Sequence, residues 1–132
     1  MINNANEIFT RLTTALQTAD ASVKTSSVYT NSPSDYPFVS IEMISNTIYE
    51  NGVDSGDIEN FANIDYEVNV YTKGSAKMSN AYKLLEVADN FMKSIGFTRI
   101  ILTPMQDQNE TLYRLVARYE AVVGKDLKVY RR

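Results

Sequence analysis

The chain has 132 residues and a formal net charge of −3, a length that fits one domain and hardly two. A 44% hydrophobic share with 11% aromatics is enough to build a core, which excludes wholesale disorder. Cysteine and histidine are both absent, which excludes disulfides, thiol catalysis, cysteine and histidine metal sites, a histidine-based triad and the usual pH switch.

The opening stretch, MINNANEI, lacks a basic segment followed by an apolar one, so no secretory signal is expected. No run approaches 18 apolar residues, and no membrane span is expected. Asn4 followed by Glu7 resembles a capping box. Ile8, Leu12, Ala15, Leu16 and Ala19 then recur at helical spacing, which predicts a helix over about 4–19. The polar stretch from Asp20 to Asp35 offers only Val28 and Tyr29 as strand-like residues, so one short strand within a loop is expected there.

From Pro37 the period changes to two. Val39, Ile41 and Met43 point one way against Ser40, Glu42 and Ser45, a strand that extends through Ile48 and Tyr49. Residues 50–60 carry two glycines and four acids without periodicity and read as a loop or extended arm. Ala62, Ile64, Tyr66, Val68 and Val70 then alternate with polar residues, the pattern of a strand with one buried and one wet face, and Gly74-Ser75 stops it. Ala81, Leu84, Leu85, Ala88, Phe91, Met92 and Ile95 form an apolar stripe opposite Lys83, Glu86, Asn90 and Lys93, so a helix is expected over about 76–95. Gly96 stands where a left-handed residue ends such a helix. Phe97 to Leu102 reads as a strand ended by Pro104, and a last strand alternates from Leu112 to Gly124, followed by a basic tail. The order α-β-β-β-α-β-β segregates strands from helices, so the fold class is α+β: a single domain with a mainly antiparallel sheet and two helices packed on one face.

The chemistry offered is sparse. Asp54-x-x-Asp57-x-Glu59 is the one dense carboxylate cluster; a hard cation accepts such oxygens, but the EF-hand spacing is missing and the cluster reads first as a solvated loop. Pairing of those acids with Glu42 or Glu67 for acid–base catalysis has nothing in the sequence to bring them together. The glycines build no phosphate-binding motif. Arg114 and Arg118 share a strand face with Glu120 and read as cross-strand ion pairs. Tyr66, Tyr82, Tyr113 and Tyr119 read as packing residues rather than base-stacking platforms. No cofactor, metal or catalytic residue is expected.

Charge is distributed unevenly. Residues 1–60 hold two bases and eight acids, 2 − 8 = −6, and residues 61–132 hold eleven bases and eight acids, 11 − 8 = +3. Such a split suits a head-to-tail assembly in which an acidic face on one copy meets a basic face on the next. An arm of about eleven residues inside so small a domain, with no catalytic set to position, suits contact with protein partners.

The blocks Tyr36–Tyr49 (YPFVSIEMISNTIY), Glu59–Tyr71 (ENFANIDYEVNVY), Gly96–Arg99 (GFTR) and Thr111–Val123 (TLYRLVARYEAVV), with the acidic loop between the first two, resemble a family of small neck and tail proteins of long-tailed phages and prophages of Gram-positive bacteria. The element order is similar to that of the tail terminators, or tail completion proteins. The resemblance covers roughly residues 36–124 and implies one terminator-like domain over 1–132, with 50–60 as an acidic arm and 124–132 as a basic tail. It further implies a homo-oligomeric ring, a hexamer, that caps the tail tube, stops its growth and offers the surface for head joining. Its partners would be the tail tube protein and a head-completion or neck protein, with DNA passing through the lumen without specific binding and no membrane involved. The protein would reside in the virion and assemble in the host cytoplasm. Contact residues expected on this basis are Glu50, Asp54, Asp57, Glu59 and Phe61 of the arm, and Lys128, Arg131 and Arg132 of the tail. The alternatives are another neck or minor tail or capsid protein, such as a stopper ring, a small metal-dependent enzyme built on the acidic loop, or a cellular protein-binding module.

Overall fold

Ile8, Leu12 and Leu16 recur every four residues, and the helix they form, α1 (Ala5–Ala19), buries all three along one stripe. The computed structural model describes residues 3–28, 35–48, 61–105, 112–124 and 129–130. The start of α1 departs from the capping box expected there. Asn4 caps nothing with its side chain; it is buried and accepts a hydrogen bond from the Tyr66 hydroxyl at 2.5 Å, while Asn3 Oδ1 accepts from the Ala5 N–H at 2.9 Å. A buried phenol requires a partner, and that requirement takes the side chain that would otherwise cap the helix.

After α1, Val23 returns to the core and Lys24–Ser26 forms the short strand β1. The short strand therefore lies a few residues before Val28 and Tyr29. It pairs in parallel with the beginning of β2 (Phe38–Ile48), which follows a cis Tyr36–Pro37 bond. β3 (Phe61–Lys73) runs antiparallel to β2, with a bulge between Met43 and Ser45. β3 also pairs along its full length with β5 (Leu112–Gly124), and β4 (Thr98–Met105) lies antiparallel on the far side of β5. The order across the sheet is β1-β2-β3-β5-β4, with a two-residue strand β6 (Val129–Tyr130) on β5. Because β3 holds one side of β5 throughout, β6 takes the other, beyond Thr98 where β4 begins. Part of the basic tail is thus a strand that turns back along β5.

Alternation decides the two faces. Val39 and Ile41, the set Ala62, Ile64, Tyr66, Val68 and Val70, and the set Leu115, Ala117, Tyr119, Ala121 and Val123 meet in register on one face. Both helices cover that face. α2 (Lys77–Ser94) buries Ala81, Leu84, Leu85, Ala88 and Met92 there and also packs against α1. Phe97 closes one end of the core with its ring edge-on to Tyr66 at 5.4 Å. α2 ends as its sequence predicts: Gly96 has φ +96°, Phe97 N–H donates to the Met92 carbonyl and Gly96 N–H to the Lys93 carbonyl, a paired C-terminal closure that an L side chain at Gly96 would strain.

Two further expectations need correction. Pro104 lies inside β4 rather than ending it, which an edge strand tolerates because, among the described residues, only β5 pairs with it. Tyr82 is exposed, not part of the core; its ring rests against that of Tyr113 at 6.3 Å, and Tyr113 is partly buried beside the core.

Candidate interaction surface

Of the contact residues expected from sequence, Glu50, Asp54, Asp57, Glu59, Lys128, Arg131 and Arg132 lie outside the described residues. Phe61 is the first residue of β3, half-buried, and stands opposite Gly124, the last residue of β5. That register has a consequence the sequence does not show. The connection 49–60, with Glu50, Asp54, Asp57 and Glu59 and no base, enters β3 at the sheet end where β5 releases the tail, 125–132, with Lys125, Lys128, Arg131 and Arg132 against Asp126. The acidic and basic segments leave from one end of the domain.

The sheet face away from the helices mixes charged and polar residues with apolar ones, and Tyr71, Val116 and Val122 are buried on it. Glu42 stands directly opposite Glu67 across the β2–β3 ladder, and Asp65 stands opposite Glu120 across β3–β5. Like charges so placed repel and need compensation. Arg118 supplies it for Glu67, its Nε 2.9 Å from Oε2, and Asn69 Nδ2 donates to Glu67 Oε1 at 3.0 Å. Arg114 reaches Asn69 on the neighbouring strand. Its Nε and a terminal nitrogen both donate to Asn69 Oδ1, at 3.1 and 2.8 Å, and its guanidinium lies 5.4 Å from the centre of the Tyr71 ring. A continuous chain of polar contacts thus runs from Arg118 through Glu67 and Asn69 to Arg114 and fixes the side chains of the β3–β5 pair. The opposition of Glu42 and Glu67 went unseen in sequence because residues 49–60 separate β2 from β3, and a connection that long does not set a register.

A second charged group lies on the helix side, where the apolar pattern of α2 gives no warning of it. Asp89 is 8% exposed and links three elements: the Tyr119 hydroxyl donates to Oδ1 at 2.9 Å, Lys93 Nζ lies 2.8 Å from Oδ2, and Arg99 reaches Oδ1 at 3.2 Å. Burial pushes its carboxyl up, but the hydrogen bonds from Lys93 and Tyr119 and the charge of Arg99 outweigh it and hold the group below its ordinary value. Burial, with the bond to Asp89, raises the Tyr119 phenol, which stays protonated and donating. This carboxylate is a fixed acceptor that ties α2 to β4 and β5.

Among the described residues, no group of three or more Asp or Glu side chains is placed to hold a metal ion. Among them, too, no helix is long and apolar enough to cross a membrane. No protein-family model matches the chain, and no curated protein matches it.

Proposed function

We propose that the chain is a structural assembly protein of a long-tailed phage or prophage, a tail terminator whose copies form a ring that caps the tail tube, stops its elongation and presents the surface for head joining. The observation that carries the reading is the Phe61–Gly124 register, which gathers the acidic connection and the basic tail at one end of the sheet. Segments of opposite charge at one end give each copy an attractive surface for its neighbours and for the tube, and charge placed at a rim chiefly sets partner choice and encounter rate. The α+β order, with both helices on one face, agrees with the terminator-like order that the sequence blocks imply.

Catalysis has no part in this reading. Subunits of a terminator act by shape and charge: a ring closes, and acidic residues around its channel repel DNA phosphates so that the duplex passes without sticking. Reversing Asp54, Asp57 and Glu59 to lysine in a phage that encodes this chain is expected to cut the yield of infectious particles about ten-fold or more, through failed assembly or arrested DNA passage. Yield equal to that of the parent phage overturns the proposal.

A further inference from the structure

We infer that the outer edge of β4 is the surface by which one copy of this chain takes up the next, and that its occupant is the β1–β2 margin of the neighbouring copy. The inference rests on the ring reading above and names the contact that builds the ring.

β4 is the last strand in the sheet, and among the described residues only β5 pairs with it. It also carries exposed apolar residues: Ile100, Ile101 and Met105 are 48%, 45% and 44% exposed. An edge strand with exposed branched side chains is a template for strand addition unless something covers it. At the opposite margin, among the described residues, β1 pairs with β2 at Phe38, Val39 and Ser40, and Ile44, at the β2 bulge farther along, is exposed. β2 and β5 run in the same direction and β4 runs against both, so β4 beside the next copy's β2 makes an antiparallel pair.

Charge selects this occupant over a two-fold pairing of β4 with itself. The open face carries Glu42, Asp65 and Glu67 with Lys73 on β2 and β3, 1 − 3 = −2, and Arg114 and Arg118 with Glu120 on β5, next to β4, 2 − 1 = +1. β6, within the basic tail, also lies on the β4 side of β5. Continuing the sheet from β4 into the next copy's β2 therefore brings the net-acidic strands toward the net-basic one. A two-fold antiparallel β4–β4 contact would instead set the net-positive β5 columns of both copies on either side of the seam, with no acidic strand between them. Joining two different margins is a heterologous contact, which closes into a ring when its rotation allows.

The chain has no cysteine, so introduced ones report contacts without interference. Copies carrying Ile101→Cys are mixed with copies carrying Ser45→Cys or Thr47→Cys, all on the same open face, and oxidised mildly. Disulfide-linked heterodimers are expected well above the homodimers formed by Ile101→Cys copies alone. Ile101→Lys, a change at an exposed position, is expected to weaken association about ten-fold or more while circular dichroism and thermal unfolding match the parent. Homodimers from Ile101→Cys alone that equal or exceed the mixed species, or undiminished association of Ile101→Lys, overturn the inference. Rings that form without the mixed cross-link overturn the edge contact and leave the ring reading standing. Cross-linked copies that grow into open filaments support the contact and overturn closure.

Discussion

Replacing Leu12 by alanine is expected to destabilise the domain by about 2–5 kcal/mol, the range for truncating a buried leucine. Leu12 is fully buried at the middle of the α1 stripe, between Ile8 and Leu16, in the cluster shared with α2 and the sheet. The loss combines the transfer of the missing methyl groups with the cavity left behind. Relaxation is limited here because the two ends of α1 are tied: Asn4 to Tyr66 at one, and Gln17 to the Val23 carbonyl near the other. A large fraction of the stability of a domain this size is at stake. Urea unfolding followed by circular dichroism measures it, with Thr14→Ala, exposed on the outer side of α1, as the control expected to change little. A Leu12→Ala midpoint equal to that of the control contradicts the core described above.

The second large effect is expected at Asp89. Substitution by asparagine keeps the shape but removes the charge that Lys93 and Arg99 meet and weakens the acceptor for Tyr119. A cost of about 1–3 kcal/mol is expected at neutral pH, because the charge-assisted bonds are lost while the group stays buried. The pH dependence follows from the direction of the shift. The carboxyl is lowered in the folded state, so its contribution is fully present above the unfolded aspartate value, near pH ~4, and is lost as pH falls through the lower folded value. Urea midpoints of the parent and Asp89→Asn should therefore differ at pH 7 and converge in acid. A difference that stays constant from pH 7 down to pH 2 contradicts the assignment.

The parts of the fold with strong periodicity were legible in the sequence, and the parts fixed by long-range demands were not. α2 carries an unbroken apolar stripe and a glycine where the left-handed residue is required, and it forms within a residue of the expected bounds. The alternation of β3 and β5 assigns their residues to the correct faces, because a period of two leaves no other choice when one face is buried. The face expected to be wet, however, also buries Asn69, Tyr71, Val116 and Val122. Asn4 shows the opposite case. Its neighbourhood reads as a helix cap, yet a hydroxyl 62 residues away takes the side chain. Asp89 interrupts the α2 stripe in a way that only the positions of Tyr119 and Arg99, on other strands, explain. Pro104 reads as a terminator until the sheet order places it on an edge.

For the interaction surface, sequence identified the charged segments but not their arrangement. The split between an acidic first half and a basic second half is plain from the residue counts. That the two segments leave one end of the sheet depends on the β3–β5 register, and that β4 ends the sheet with exposed Ile100 and Ile101 depends on β5 being inserted between β3 and β4. Strand order is set by which faces pack best, not by any local signal.

The proposed closed ring of copies of this chain is tested most directly by its mass in solution. Light scattering over a concentration series, with negative-stain imaging of the same sample and of the sample mixed with purified tail tubes, is expected to show rings of about six copies of the 14.9 kDa chain, free or on tube ends. A strict monomer at every concentration, with bare tube ends in the mixture, would contradict it.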